Sequence, residues 1–139
     1  MARSTAGHFE MDLVVAPLSV RIARVIVGAH IRLWGLDALL DRAGLAVSEL
    51  LTNVWEHSRP TGGGQMKASR ITLTRIPDGV TLCVHDADPT LPREMLAAFD
   101  DEHGRGLQIV KALSDQYGVC PSLDGGKDIW LTILGRVDA

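Results

Sequence analysis

Leu45–Ser58 reads LAVSELLTNVWEHS, and the order of the chain follows from it. Val47, Leu50, Leu51 and Val54 recur at spacings of three and four, which a 3.6-residue helix gathers into one apolar stripe. Glu49 and Asn53 are four residues apart, so both project from one face, and Glu56 and His57 follow one turn later. The helix is predicted over roughly Leu36 to His57. Immediately after it, RPTGGGQ (Arg59–Gln65) is a loop by composition.

Working outward, two strands are predicted over Ala68–Ile76 and Gly79–Asp86, joined by the turn pair Asp78–Gly79. Val80, Leu82, Val84 and Asp86 share one face of the second strand, so a carboxylate ends a row of core side chains. Thr72, Thr74, Thr81, Cys83 and His85 alternate with them and should point away from the helices, leaving that face exposed or used for self-association. Upstream, strand-like alternation over residues 8–16 precedes Pro17, which suits the first turn of a helix running to about Trp34 and stopped by Gly35. That helix reads as buried on more than one side. Downstream come a polar segment (Ala87–His103), a helix from about Arg105 to Gln116, and short strands around Val119–Leu123 and Asp128–Leu134.

The order β-α-α-β-β-α-β-β lacks the regular alternation of a parallel doubly wound sheet. It implies α+β: a two-layer α/β sandwich with a mixed, mostly antiparallel sheet and helices on one face. With 139 residues, no repeat and no low-complexity linker, residues 1–139 are expected to form one domain, with 1–7 flexible.

Composition narrows the function classes. Hydrophobic content of 46% against 22% charged residues describes a folded globule, and a net charge of −3 gives no basic field for nucleic acid. The apolar stretch Leu18–Leu36 carries Arg21, Arg24, His30 and Arg32, which a membrane span would tolerate poorly. Cys83 and Cys120 make neither a disulfide framework nor a zinc spacing, and with no signal-peptide core at the start a reduced cytoplasmic location is expected.

Three constellations carry chemistry. A Glu-x-x-x-Asn pair is commonly a solvated helix edge, but Asn53 also offers a hard oxygen to Mg²⁺, and Glu49 a carboxylate to polarise a hydroxyl or water. Asp86 is either a strand-end cap or an acceptor for an exocyclic amine, as in adenine recognition. Buried and ionised, it needs a donor. Gly104–Arg105–Gly106–Leu107 opens a helix, where glycines let backbone N–H groups approach phosphate.

Taken together these motifs resemble a known family. LAVSELLTNVWEHS looks like the N-box of the GHKL ATPases, VHDADPTLP like their adenine box, and HGRGLQIVKALSDQYGV like their glycine box. GGKDIW is similar to a closing strand frequent in the actinobacterial group, and the closest likeness is to the anti-sigma-factor serine/threonine kinases. The resemblance covers about Leu45 to Leu134 and implies a Bergerat fold with ATP and Mg²⁺ as cofactors. It implies Glu49 as catalytic base, Asn53 as Mg²⁺ ligand, and Asp86 as acceptor for the adenine amine. Gly104 and Gly106 would cradle phosphate, with Arg105 as a charge partner, Val84 and Leu107 as apolar neighbours of the base, and residues 93–103 as a short lid. Its implied partners are a sigma factor and an anti-anti-sigma protein, with a homodimer expected and no direct contact with nucleic acid or membrane. Two positions depart from the pattern. Asp88 stands where the superfamily has glycine, putting a second carboxylate beside Asp86, and Asp128 stands where relatives often have threonine near the base. They keep a second reading open, a catalytically inactive ATP-binding or protein-binding module of the same fold. A two-component histidine kinase is disfavoured, since the length leaves no room for a dimerisation helix.

Overall fold

The computed structural model describes residues 2–60, 64–89, 105–123 and 125–135, with the side chains of 105–107 outside that description. Its elements are β1 (Ala2–Thr5), β2 (His8–Val14), α1 (Pro17–Leu33), a 3₁₀ turn (Asp37–Leu39), α2 (Leu40–His57), β3 (Ala68–Ile76), β4 (Gly79–Asp86), α3 (Arg105–Leu113), β5 (Gln116–Pro121) and β6 (Lys127–Leu134). The six strands form one sheet in the order β1-β2-β3-β4-β6-β5. Every described pairing is antiparallel, so the sheet is not mixed. Where a flexible lead was expected over residues 1–7, Ala2–Thr5 pairs with β2 as an edge strand.

Local chemistry explains the element ends. Pro17 starts α1, where its missing N–H loses nothing, and the Ser19 hydroxyl accepts the Ala16 N–H at 2.8 Å. At the other end Gly35 takes φ +72°, and the N–H groups of Gly35 and Leu36 reach back to the carbonyls of Arg32 and Ile31, both at 2.9 Å. This left-handed stop satisfies two carbonyls that a helix end leaves open. The β3–β4 turn sits one residue earlier than expected. Pro77 and Asp78 make it, Asp78 at φ +64°, while Gly79 already pairs with Ile76. The helix expected to reach Gln116 ends at Leu113, because Gln116 opens β5 against Thr132.

The core lies between the sheet and α1, α2 and α3. Ile71, Leu73, Val80, Leu82, Val84, Ile129, Leu131 and Ile133 on one sheet face meet Ala23, Val27, Ile31, Val47, Leu50, Leu51, Val54 and Val110. The predicted β4 register therefore holds: Leu82 and Val84 are fully buried. One expectation fails. Only the Ala23–Val27–Ile31 side of α1 is buried, and Leu18, Ile22, Val25 and Leu33 form an exposed stripe opposite it. The arginines diluted that stripe in sequence, but an apolar run in a helix does not say which of its faces finds a neighbour.

The opposite face of the sheet is polar and half-exposed. Across it run His8–Thr74 at 3.0 Å, Thr81–Thr132 at 3.2 Å, Asp12–Arg70 at 2.7 Å and His85–Asp128 at 2.7 Å, each a cross-strand neighbour pair. The Arg70 guanidinium holds the Asp12 carboxyl below its usual value. Being exposed, that pair adds little stability. Cys83 shares this face, and burial, helped by Asp128 and Cys120, pushes its thiol up to about 12. At pH 8 its thiolate fraction is then about 10⁻⁴. Iodoacetamide at that pH should label exposed Cys120 in the native protein and leave Cys83 unmodified until denaturant is added. Mass spectrometry of the native and unfolded protein reads this directly, and equal labelling would contradict the placement of Cys83.

Candidate functional site

Three segments meet where α2 ends. Ser58 caps the helix, its N–H bonded to the Val54 carbonyl at 3.1 Å, and its hydroxyl donates to Asp86 Oδ2 at the end of β4. Asp86 is 1% exposed. Its other oxygen, Oδ1, accepts the backbone N–H of Asp88 at 2.9 Å, and the ammonium of Lys127 lies 3.3 Å from Oδ2. Lys127 opens β6 directly opposite Asp86 in the ladder and also donates to the Asp88 carbonyl at 3.0 Å. Three donors thus converge on one buried carboxylate, which answers the requirement that an ionised group in a core face be compensated.

The approach of β6 to this point depends on Gly126. Its φ is +74°, and a Cβ there would stand 2.2 Å from the Asp86 carbonyl oxygen, so only glycine fits the turn that delivers Lys127.

Asp88 and Asp128, the two departures from the family pattern, lie on different faces of the sheet's end. Asp88 does not stand free beside Asp86. It is 4% exposed, and its carboxylate accepts the Arg59 N–H at 2.8 Å, tying the segment after α2 to the end of β4. Asp128, expected near the base, lies on the far face of the sheet, with its carboxylate on His85 Nδ1. The two-residue period of the strand is the reason: Lys127, Ile129, Leu131 and Ile133 point inward, and Asp128 cannot.

Glu49 and Asn53 are half-buried on α2. They precede Ser58 by nine and five residues, which places them about 13 and 7 Å up the helix axis from the Asp86 junction. The line Asp86–Asn53–Glu49 therefore has a buried acceptor at one end, an amide in the middle and a carboxylate at the other. Gly104 lies outside the described residues. Arg105, Gly106 and Leu107 form the first turn of α3, and nothing is said of their side chains; the lid expected over 93–103 is likewise outside. No group of three His, Cys, Asp or Glu suited to a metal occurs among the described residues. That does not conflict with Mg²⁺ at Asn53, because a nucleotide-borne Mg²⁺ needs only one or two protein oxygens.

A nucleotide base fits the chemistry of the Asp86 end. A carboxylate offers about four lone-pair directions; Ser58 and the Asp88 N–H use two by hydrogen bonds, and the Lys127 ammonium stands against Oδ2 as an ion pair. One acceptor position is left for an exocyclic amine. Ser58 and Lys127 were missed in the sequence reading. The available signal was register: a lysine in phase with three core residues of β6.

The family described as histidine kinase-like ATPase domain matches residues 13–133. No curated protein matches the chain. No described helix is long and apolar enough to cross a membrane.

Proposed function

The chain belongs to the histidine kinase-like ATPase domain family, and from that premise we propose an ATP-dependent protein serine/threonine kinase that regulates a sigma factor by partner switching. The observation carrying this reading is the Ser58–Asp86 junction, which joins a buried amine acceptor to the helix that bears Asn53 and Glu49. Bound Mg-ATP would supply the γ-phosphoryl group, whose bond to the β-phosphate oxygen breaks as ADP leaves, and the Mg²⁺ would neutralise the developing charge. Asp86 accepts the 6-amino group of the base, Asn53 presents its side-chain oxygen to the metal, and Glu49 orients and deprotonates the attacking hydroxyl of a small anti-anti-sigma protein. The exposed apolar stripe of α1 supports the protein-binding half of the proposal, since soluble chains seldom leave such a run uncovered. The same stripe favours a second reading, a protein-binding module of this fold that keeps the nucleotide and has lost transfer.

Both readings require the adenine edge. Guanine presents a carbonyl where adenine presents an amine, so GTP would set an acceptor against Asp86. Mg-ATP should bind about tenfold to hundredfold more tightly than Mg-GTP in calorimetric titration. Equal affinities would remove Asp86 from base recognition. Single-turnover transfer of labelled phosphate to an anti-anti-sigma protein then separates the kinase from the inactive module.

A further inference from the structure

Lys127 is 5% exposed, an unusual state for a side chain that normally keeps its ammonium in water. Charge compensation of Asp86 explains one of its contacts. It leaves the geometry of the pair unused. The ammonium carries three N–H groups; one is hydrogen-bonded to the Asp88 carbonyl, and even with a second given to the ion pair with Asp86 Oδ2 at 3.3 Å, a third is left. Next to it, Asp86 retains one acceptor direction after Ser58, Lys127 and the Asp88 N–H are counted. The site therefore sets one donor beside one acceptor.

Adenine shows the complement of that arrangement on its Watson–Crick edge, an amine hydrogen at C6 beside the lone pair of N1. We propose that Lys127 is a specificity residue that donates to N1 of the adenine whose 6-amino group Asp86 accepts, an inference that rests on the ATP-binding reading above. The order of donor and acceptor is held by the protein. Asp86 is pinned by Ser58 on Oδ2 and by the Asp88 N–H on Oδ1, and Lys127 by the ladder position opposite Asp86. Guanine carries the reverse order, O6 then N1–H, and meets both groups wrongly. A lysine serving only to neutralise Asp86 would affect stability but would not sense which atom occupies position 1 of the purine.

The test compares Mg-ATP with Mg-1-deaza-ATP, in which a C–H replaces N1, by calorimetry on the full chain. The wild type should bind 1-deaza-ATP about tenfold to hundredfold more weakly, as expected for loss of a hydrogen bond to a charged donor. Lys127→Met, titrated below its melting temperature, should bind the two nucleotides equally. Equal binding by the wild type overturns the role of Lys127 and leaves the ATP reading intact, as does a Lys127→Met variant that still discriminates. If the wild type binds no ATP, the ATP reading falls and this inference with it. The wild-type comparison needs no substitution, so a Lys127→Met chain that fails to fold does not prevent a decision.

Discussion

Glu49→Gln is expected to bind Mg-ATP with nearly wild-type affinity while phosphoryl transfer falls by a factor of roughly 10²–10⁴. The substitution keeps the shape of the side chain and removes its basicity. Its target is the attacking hydroxyl, which is absent from the binary complex with nucleotide, so binding should not register the change. Asn53→Ala should behave differently. Asn53 stands about 6 Å closer along α2 to the Asp86 junction than Glu49 does, between the base end and the transfer end. With its oxygen gone, the Mg²⁺ dependence of ATP binding should disappear and transfer should stop with it. Calorimetry with and without Mg²⁺, beside a single-turnover assay, resolves both variants. Wild-type transfer by Glu49→Gln would leave the kinase without its base. Normal Mg-ATP binding by Asn53→Ala would show that the α2 face is not the metal site.

What could be read without coordinates is what strict periodicity governs. The three-and-four spacing of Val47, Leu50, Leu51 and Val54 gave α2, and all four are fully buried. The alternation Val80, Leu82, Val84, Asp86 gave both the inward face of β4 and the unusual carboxylate at its end. Pro17 and Gly35 bounded α1 because each has a backbone constraint that needs no tertiary partner. The failures share the opposite property. Ser58 acquires its role by touching a residue 28 positions away. Lys127 could be recognised only once β6 was paired with β4, and the family resemblance drew attention to Asp128 instead, one residue along and on the other face. The outer stripe of α1 is as apolar as the inner one, and only packing distinguishes them. The glycine-box residue Gly104, and the side chains of Arg105 and Leu107, fall outside the described residues and keep the status that resemblance gave them.

Asp86→Leu should lower unfolding free energy by about 3–5 kcal/mol, the range for breaking a buried ion pair from one side. In a chain of this size that corresponds to a melting temperature lower by about 10–15 °C. The loss has identifiable sources. Lys127 would be left at 5% exposure with only the Asp88 carbonyl as partner, and the Ser58 hydroxyl and the Asp88 N–H would lose their acceptor. Lys127→Met should be comparably damaging, because Asp86 would then lose its ion-pair partner and keep only two neutral donors. The double variant Asp86→Leu/Lys127→Met removes both charges and puts apolar groups into a row already built from Val84 and Ile129. It should recover about 2 kcal/mol or more relative to the sum of the single losses, the signature of two residues acting as one unit. Raising NaCl to 1 M should leave the wild-type melting temperature insensitive to this pair, since a contact with side chains 6% and 2% exposed is poorly screened. Strictly additive single losses would mean that Asp86 and Lys127 do not act on one another. The donor–acceptor pair on which base recognition rests would then have no energetic counterpart in the folded chain.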